Sequence, residues 1–327
     1  MQSGNEVLTL SRRKVLAGLG TTGLMSVLSH KPLPANPSDE SPGRLSVAIM
    51  SKFMQFLDLK EMSEAAAQIG FDGIDLCVRP GAHVLPERVE EDLPRAVAIM
   101  RKAGLQVPMI TTDIVDAESP HAEPVLRTAG ALGIGLYRWG GFTYNNQPGI
   151  ISQLDALKPR VKGLDDLNRR HKVCAMYHTH SGQGQVGASI WDLWILLREF
   201  DPQSIAVNFD VGHATVEGGG GGWLHSARLI LPLTRGLAIK DFSWGQDQNG
   251  KWVPKWRPLG KGMVDFRLFL QILRSARFSG PVQMHFEYPL GGVENGATVL
   301  TKERREVFAA MKTDLNTFRA WLREAGL

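Results

Sequence analysis

The sequence predicts a (β/α)8 barrel, on three observations. Eight short apolar, β-branched runs alternate with segments of helical period. About 280 residues follow residue 43, close to the ~250 that one such barrel uses. The richest polar clusters stand where these runs end, and such barrels keep their chemistry at the C-terminal ends of their strands.

The runs cover 45–50, 71–77, 107–111, 134–139, 173–177, 205–209, 236–239 and 281–286. After the first, Leu59, Met62, Ala65, Ala66 and Ile69 repeat at helical spacing. Val89, Leu93, Ala96, Ile99 and Met100 do so after the second. Further helices are expected over 124–132, 151–171 with a kink at Pro159, 190–200, 224–233, 266–276 and 302–324. Gly70, Gly104 and Gly133 precede strands, as left-handed helix stops do. Pro108 falls inside the third run. A closed barrel has no free edge for a residue without an N–H, so Pro108 belongs at the strand's start or at a bulge. The competing doubly wound sheet requires a Gly-rich phosphate loop after its first strand, where Ser51-Lys52-Phe53-Met54 stands instead. The glycine run from Gly218 to Gly222 lacks Gly-x-Gly-x-x-Gly spacing and reads as a mobile loop.

Residues 1–43 stand apart. Ser11-Arg12-Arg13-Lys14-Val15-Leu16, followed by an apolar small-residue run to Leu28, fits a twin-arginine export signal. That run is shorter than the ~20 apolar residues of a membrane span. Residues 1–35 are read as the signal, with Leu33-Pro34-Ala35 nearest to a cleavage site, 36–43 as a Pro-rich linker, and 44–327 as one barrel. A periplasmic or otherwise exported location is expected, with no stable membrane insertion after processing. Residues 1–43 hold four basic and three acidic residues, so the net charge of +4 becomes +3 without them. With no long basic run, a nucleic-acid partner is not implied. Cys77 and Cys174 fall on separate strands and read as free buried thiols.

Three segments carry the chemistry: Tyr177-His178-Thr179-His180, Asp210-Val211-Gly212-His213 and His285-Phe286-Glu287-Tyr288. Strand period two turns His178 and His180 to one side, as it does Asn208 with Asp210, Ala238 with Lys240, and His285 with Glu287, giving two stacked inward layers. Inward carboxylates are costly without partners. Asp210 and Glu287 are therefore candidate ligands of one divalent ion, with His178 and with His213 or His180. Ligand type alone does not choose between Mn²⁺, Mg²⁺, Co²⁺ and Zn²⁺. An inward Lys240 needs an anionic partner: Asp241, a ligand carboxylate or a substrate oxyanion. Glu287, Lys240, His180 and His285 are the candidate acid–base groups. Arg79 and His83 after strand two, and Arg138 ending strand four, are candidate substrate contacts, with surface ion pairs as the alternative. Trp244, Trp252 and Trp256 flank an Asn249-Gly250 turn after strand seven. Trp244 and Trp256 are candidate platforms for the C–H face of a sugar.

Taken in order, Gly70-Phe71-Asp72-Gly73-Ile74-Asp75-Leu76, the Asp-x-Gly-His at 210–213, Ile239-Lys240-Asp241, Pro258-Leu259-Gly260-Lys261-Gly262 with Asp265-Phe266, and Phe286-Glu287-Tyr288 form a set. With it, the sequence resembles the xylose-isomerase-like TIM-barrel superfamily, specifically its sugar phosphate isomerase/epimerase proteins, over nearly all of 44–327. The resemblance implies a divalent ion held by an acidic residue ending strand five, the Asp of Asp-x-Gly-His, a strand-seven His and the strand-eight Glu. Asp210 and Glu287 match. His178 stands at the strand-five position and Ala238 at the strand-seven position, two departures.

Three functions fit. The first is a metal-dependent isomerase or epimerase acting through an enediolate on a sugar, non-phosphorylated because sugar phosphates are mainly cytoplasmic. The second is a lyase or dehydratase eliminating a group β to the carbonyl of a keto-sugar or keto-glycoside. The third is a non-catalytic sugar-binding protein. In each the partner is a small-molecule sugar, and the oligomeric state stays open.

Overall fold

The computed structural model describes residues 44–145 and 149–327. The signal and linker read at 1–35 and 36–43 lie outside the described residues. Among the described residues the strands are β1 (Val47–Met50), β2 (Gly73–Val78), β3 (Ile110–Thr112), β4 (Leu136–Trp139), β5 (Cys174–His178), β6 (Ile205–Asp210), β7 (Thr234–Ile239), β8 (Asp241–Gln246), β9 (Trp252–Arg257) and β10 (Val282–Met284). All but β8 and β9 close a parallel barrel in which β10 sits between β7 and β1. All eight expected barrel strands are present, and Pro108 precedes β3 rather than interrupting it.

The helices are α1 (Leu59–Ile69), α2 (Val89–Lys102), α3 (Ala122–Ala131), α4 (Ile150–His171), α5 (Trp191–Leu197), α6 (Val211–Gly218), α7 (Gly222–Ile230), α8 (Phe266–Ser275) and α9 (Arg304–Ala325). α1 shows why they form where they do. Asp58 caps it by accepting from the Lys60 and Glu61 N–H groups, both at 2.8 Å, and Gly70 ends it at φ +110°. Its buried residues are Met62, Ser63, Ala65, Ala66 and Ile69, which include four of the five whose spacing predicts it. α4 runs through Pro159 as a single element. Among the described residues, no helix is long and apolar enough to cross a membrane. Cys77 and Cys174 are buried free thiols.

One feature differs from the sequence expectation. α6 follows β6 with no intervening loop, and the glycine run spans the end of α6, a three-residue turn and the start of α7. A side chain at Gly218 would place its Cβ 2.2 Å from the Trp223 nitrogen, so close approach of backbone requires glycine there. Period-3.6 counting misses α6 because its eight residues are short and contain a glycine at each of two positions.

β8 and β9 form the hairpin that carries the tryptophans. Gly250 turns at φ +77°, and the Asp247 carboxylate accepts from the Asn249 and Lys251 N–H groups at 2.8 and 3.0 Å. The segment after it returns to the barrel through Asp241, which is almost fully buried. Its carboxylate accepts from the N–H groups of Phe242 (2.9 Å), Gly260 (3.0 Å), Gly262 (2.9 Å) and Val264 (3.2 Å). This joins the Ile239-Lys240-Asp241 and Pro258-Leu259-Gly260-Lys261-Gly262 motifs physically. A Cβ at Gly262 would fall 2.1 Å from Asp241 Oδ1 and 2.3 Å from the Phe242 oxygen. Gly262→Ala is therefore expected to lower stability by about 1–3 kcal/mol, measured by chemical denaturation. Gly220→Ala, where a Cβ meets nothing within 4 Å, serves as the control and is expected to have little effect. Equal effects of the two would remove this reading of Gly262.

Candidate active site

Inside the barrel, the lower polar layer is a chain of buried hydrogen bonds. The Asn208 amide donates to Gln283 Oε1 (2.9 Å), the Gln283 amide donates to Asp75 Oδ2 (2.8 Å), and the Thr111 hydroxyl donates to the same oxygen (2.7 Å). Burial, partly opposed by the Thr111 bond, pushes the Asp75 carboxyl up to about 7. Sequence reading missed Gln283 and Thr111. Gln283 shares the inward parity of His285 and Glu287, and that was the available signal.

The upper layer centres on Lys240, which is 3% exposed. Its ammonium lies 2.6 Å from His213 Nε2, 2.9 Å from Glu287 Oε1 and 3.2 Å from Asp210 Oδ2, with the Trp256 ring centroid 4.4 Å away. Of the three anionic partners the sequence allows for this lysine, the ligand carboxylates are the ones it meets, while Asp241 is spent on backbone N–H groups. An ammonium can only donate, so His213 Nε2 accepts; the ring's proton then sits on Nδ1, 2.7 Å from the Ser181 hydroxyl. Both His213 nitrogens are thus engaged within the protein. The Asp-x-Gly-His motif gains a local cause. Asp210 Oδ1 caps α6 by accepting from the His213 N–H at 3.0 Å. A Cβ at Gly212 would lie 2.9 Å from Lys240 Cγ, so glycine leaves room for the lysine to pass.

Around this ammonium stand four imidazoles. The His178 ring centroid is 4.5 Å from that of His180, 5.5 Å from that of His285 and 6.3 Å from that of His213. Burial drives all four below the usual histidine range, with the Arg138 charge adding to it at His178 and His180 and the Lys240 charge at His213. His180 falls to about 3 and His285 to about 4. The rings are therefore neutral at neutral pH. Burial raises the Asp210 carboxyl to about 6 against the pull of Lys240. At Glu287 burial, the largest single effect, also raises, but Lys240 and His285 together outweigh it and the carboxyl lies well below its usual range.

Asp210 Oδ2 pairs with the Lys240 ammonium at 3.2 Å and His285 Nδ1 lies 3.4 Å from Glu287 Oε1, but both ring nitrogens of His178 and Nε2 of His285 are buried with no hydrogen-bond partner. Such groups are costly to bury unpaired. His178, Asp210 and His285 each offer a ligand atom within 4.8 Å of the others, and so do His178, His180 and His213. Two imidazoles and a carboxylate suit a divalent ion, so the residues fit a metal. Of the sequence-expected ligands, His178 and Asp210 share one such group. His178 and His213 share the other, and Glu287 and His213 also meet through Lys240.

The remaining candidates are spread around the mouth. Arg138 lies 3.3 Å from His180 Nε2, and Arg79 lies 3.9 Å from Asp113. His83 makes its side-chain hydrogen bond to the Leu57 oxygen (3.0 Å), holding the loop after β2 to the turn after β1. Trp256 packs edge-on to His213, centroids 5.1 Å apart, while Trp244 is 41% exposed on the hairpin. Ser181 was not foreseen; its place one residue beyond His180 was the signal.

A family model described as xylose isomerase-like TIM barrel matches residues 63–311. No curated protein matches the sequence. Similar solved structures include 3-keto-D-glucoside 4-epimerase, YcjR, from E. coli, with 13% identity, TM-score 0.60, and 84% of this chain and 99% of that one covered. Another is the probable 3-DHS dehydratase AsbF from Bacillus anthracis, with 14% identity, TM-score 0.61 and the same coverage. A third is a xylose isomerase-like TIM barrel protein from Mycobacterium smegmatis in complex with magnesium, with 16% identity, TM-score 0.60 and again 84% and 99%. At these identities the likeness is one of fold.

For the metal, Asp210→Asn and His178→Gln are each expected to weaken uptake of Mn²⁺, Co²⁺ or Zn²⁺ by more than about tenfold, read by equilibrium dialysis with the fold checked by circular dichroism. Metal-free Lys240→Met is expected to lose about 3–5 kcal/mol, because it leaves buried carboxylates uncompensated, and to regain stability when the ion is added. Parental uptake by both ligand variants would contradict this assignment.

Proposed function

The chain belongs to the xylose isomerase-like TIM barrel family, and from that premise we propose that it is a divalent-metal-dependent sugar isomerase or epimerase acting on a non-phosphorylated sugar. One observation carries the reading. His180 and Glu287, the two partly open acid–base groups of the mouth, rise from β5 and from the end of β10, three places apart around the barrel. Two such groups reach a substrate from different sides, as a proton shift between neighbouring carbons or an inversion requires. The twin-arginine segment supports the non-phosphorylated substrate and an exported location.

Glu287, ionised through its pairing with Lys240, takes the proton from the carbon next to a carbonyl. A carboxylate held so low is a weak base, so the C–H must be acidified; a divalent ion held by His178, Asp210 and His285 would supply this by drawing electron density from the carbonyl. Neutral His180 accepts or returns a proton on the other side, its ring oriented by Arg138. Lys240 keeps Glu287 ionised and donates hydrogen bonds toward charge developing on the substrate. Trp256, and Trp244 at the hairpin, offer flat faces to the sugar ring and exclude water. Arg79 and Arg138 bind its polar groups.

A second reading has its own observation: the Lys240 ammonium, a proton donor, lies 2.9 Å from the Glu287 base. One base beside one acid suffices for β-elimination from a keto-sugar or keto-glycoside, and the structural likeness to a probable dehydratase supports keeping it.

Incubation of the metal-loaded protein with sugars and keto-sugars in deuterated water, followed by NMR, separates the two. Deuterium at the α-carbon with an intact skeleton is the expected result, and Glu287→Gln is expected to slow it by about 10²–10⁴. Loss of a leaving group with an unsaturated product would move the assignment to the lyase. Conversion with neither exchange nor metal dependence would defeat both.

A further inference from the structure

The charges of the mouth are segregated. Asp210, Glu287 and the four imidazoles come from the β5, β6 and β10 side, with Lys240 among them. The opposite half is cationic: Lys52 in the turn after β1, Arg79 just past β2, and Arg138 at the end of β4. Among the described residues these cations are poorly matched. Lys52 makes no ion pair and rests its ammonium 5.2 Å from the Phe53 ring centroid. The side chain of Arg138 donates toward an imidazole, not a carboxylate. Arg79 has Asp113 at 3.9 Å, a long contact to a side chain that is 60% exposed. The groups lie close enough to act on one another. Burial lowers the Lys52 ammonium, Glu287 opposes this, and the charges of Arg79, Lys240 and Arg138 add to it. The buried Asp75 carboxyl acts on Arg138 and Arg79, and Glu287 acts on Lys52 and Arg138, but none of the three cations makes a close ion pair, and an anionic ligand would relieve their mutual repulsion.

We propose that the substrate is a sugar acid, its carboxylate held by Lys52, Arg79 and Arg138 while its carbonyl end lies over Glu287 and His180. This rests on the sugar-converting reading above and adds the substrate class. Guanidinium groups bind carboxylates through paired N–H donors, and Lys52 adds a point charge. The shared chemistry is an oxyanion on the sugar. The carboxylate is assigned because the substrate is read as non-phosphorylated.

Isothermal titration of the full chain with D-glucuronate, D-galacturonate, D-mannuronate and D-gluconate, each against its neutral counterpart and against the matching sugar phosphate, tests this. At least one acid is expected to bind more than about tenfold tighter than its neutral counterpart, a difference of about 1.4 kcal/mol. In Lys52→Gln and Arg138→Gln that ratio is expected to fall toward unity, with metal content unchanged. Equal binding of acids and neutral sugars across the panel, or a preference both variants retain, overturns the proposal. So does a sugar phosphate that outbinds every acid. Because binding is read without turnover, the two readings fail separately. Acid preference without α-carbon exchange sinks the isomerase reading alone, and exchange on neutral sugars without acid preference sinks this one alone.

Discussion

Without Lys240 the barrel mouth would hold two carboxylates, Asp210 and Glu287, facing buried imidazoles with no cation in contact with them. Ionised carboxylates in a dry interior are stabilised only by close opposite charge and full hydrogen bonding. The ammonium supplies the charge at 2.9 and 3.2 Å and fixes the His213 tautomer at 2.6 Å. Its positive charge also helps to keep the surrounding histidines neutral. Neutral rings are the form that binds a metal or accepts a proton, so one lysine prepares both activities.

The supports of this lysine explain the motifs around it. Gly212 gives the side chain passage, and Asp241 anchors the strand end by binding four backbone N–H groups of the loop that returns from the hairpin. The hairpin in turn sets Trp256 over the ammonium. Beneath, the Asp75–Gln283–Asn208 chain fills the barrel with satisfied polar contacts and leaves unpaired capacity mainly in the layer above. Asp75 Oδ1 and Asn208 Oδ1 are exceptions in the lower layer.

Most of the architecture was legible because strand period and helix stops are local signals. Runs of β-branched residues marked all eight barrel strands, and Gly70, Gly104 and Gly133, all at positive φ, marked their approaches. The short α6 was not legible, because a helix that starts on the last residue of a strand has no loop to announce it. At the site, parity told which side chains point inward but not which of them meet. The sequence grouped Glu287 and His213 with His178 and Asp210. That Glu287 and His213 also meet through the Lys240 ammonium depends on side-chain reach across three strands, which spacing does not encode. The cationic half of the mouth was seen in part. Arg79 and Arg138 carried a signal as charges at strand ends, whereas Lys52 read only as a loop residue arguing against a phosphate site.

The central claim is that burial beside Lys240 and Arg138 holds the mouth histidines neutral. A histidine whose folded pKa is depressed contributes stability that is fully present above its unfolded value and is lost as pH falls. The most direct measurement is a ¹H–¹⁵N NMR titration of the imidazoles in metal-free protein from about pH 8 to about pH 5, bracketing the ordinary histidine value. With His180 at about 3, His285 at about 4, and His178 and His213 well below the usual range, all four rings are expected to show neutral nitrogen shifts throughout, with His213 protonated at Nδ1. A protonation midpoint between about 6 and about 7 at any of the four would contradict the account.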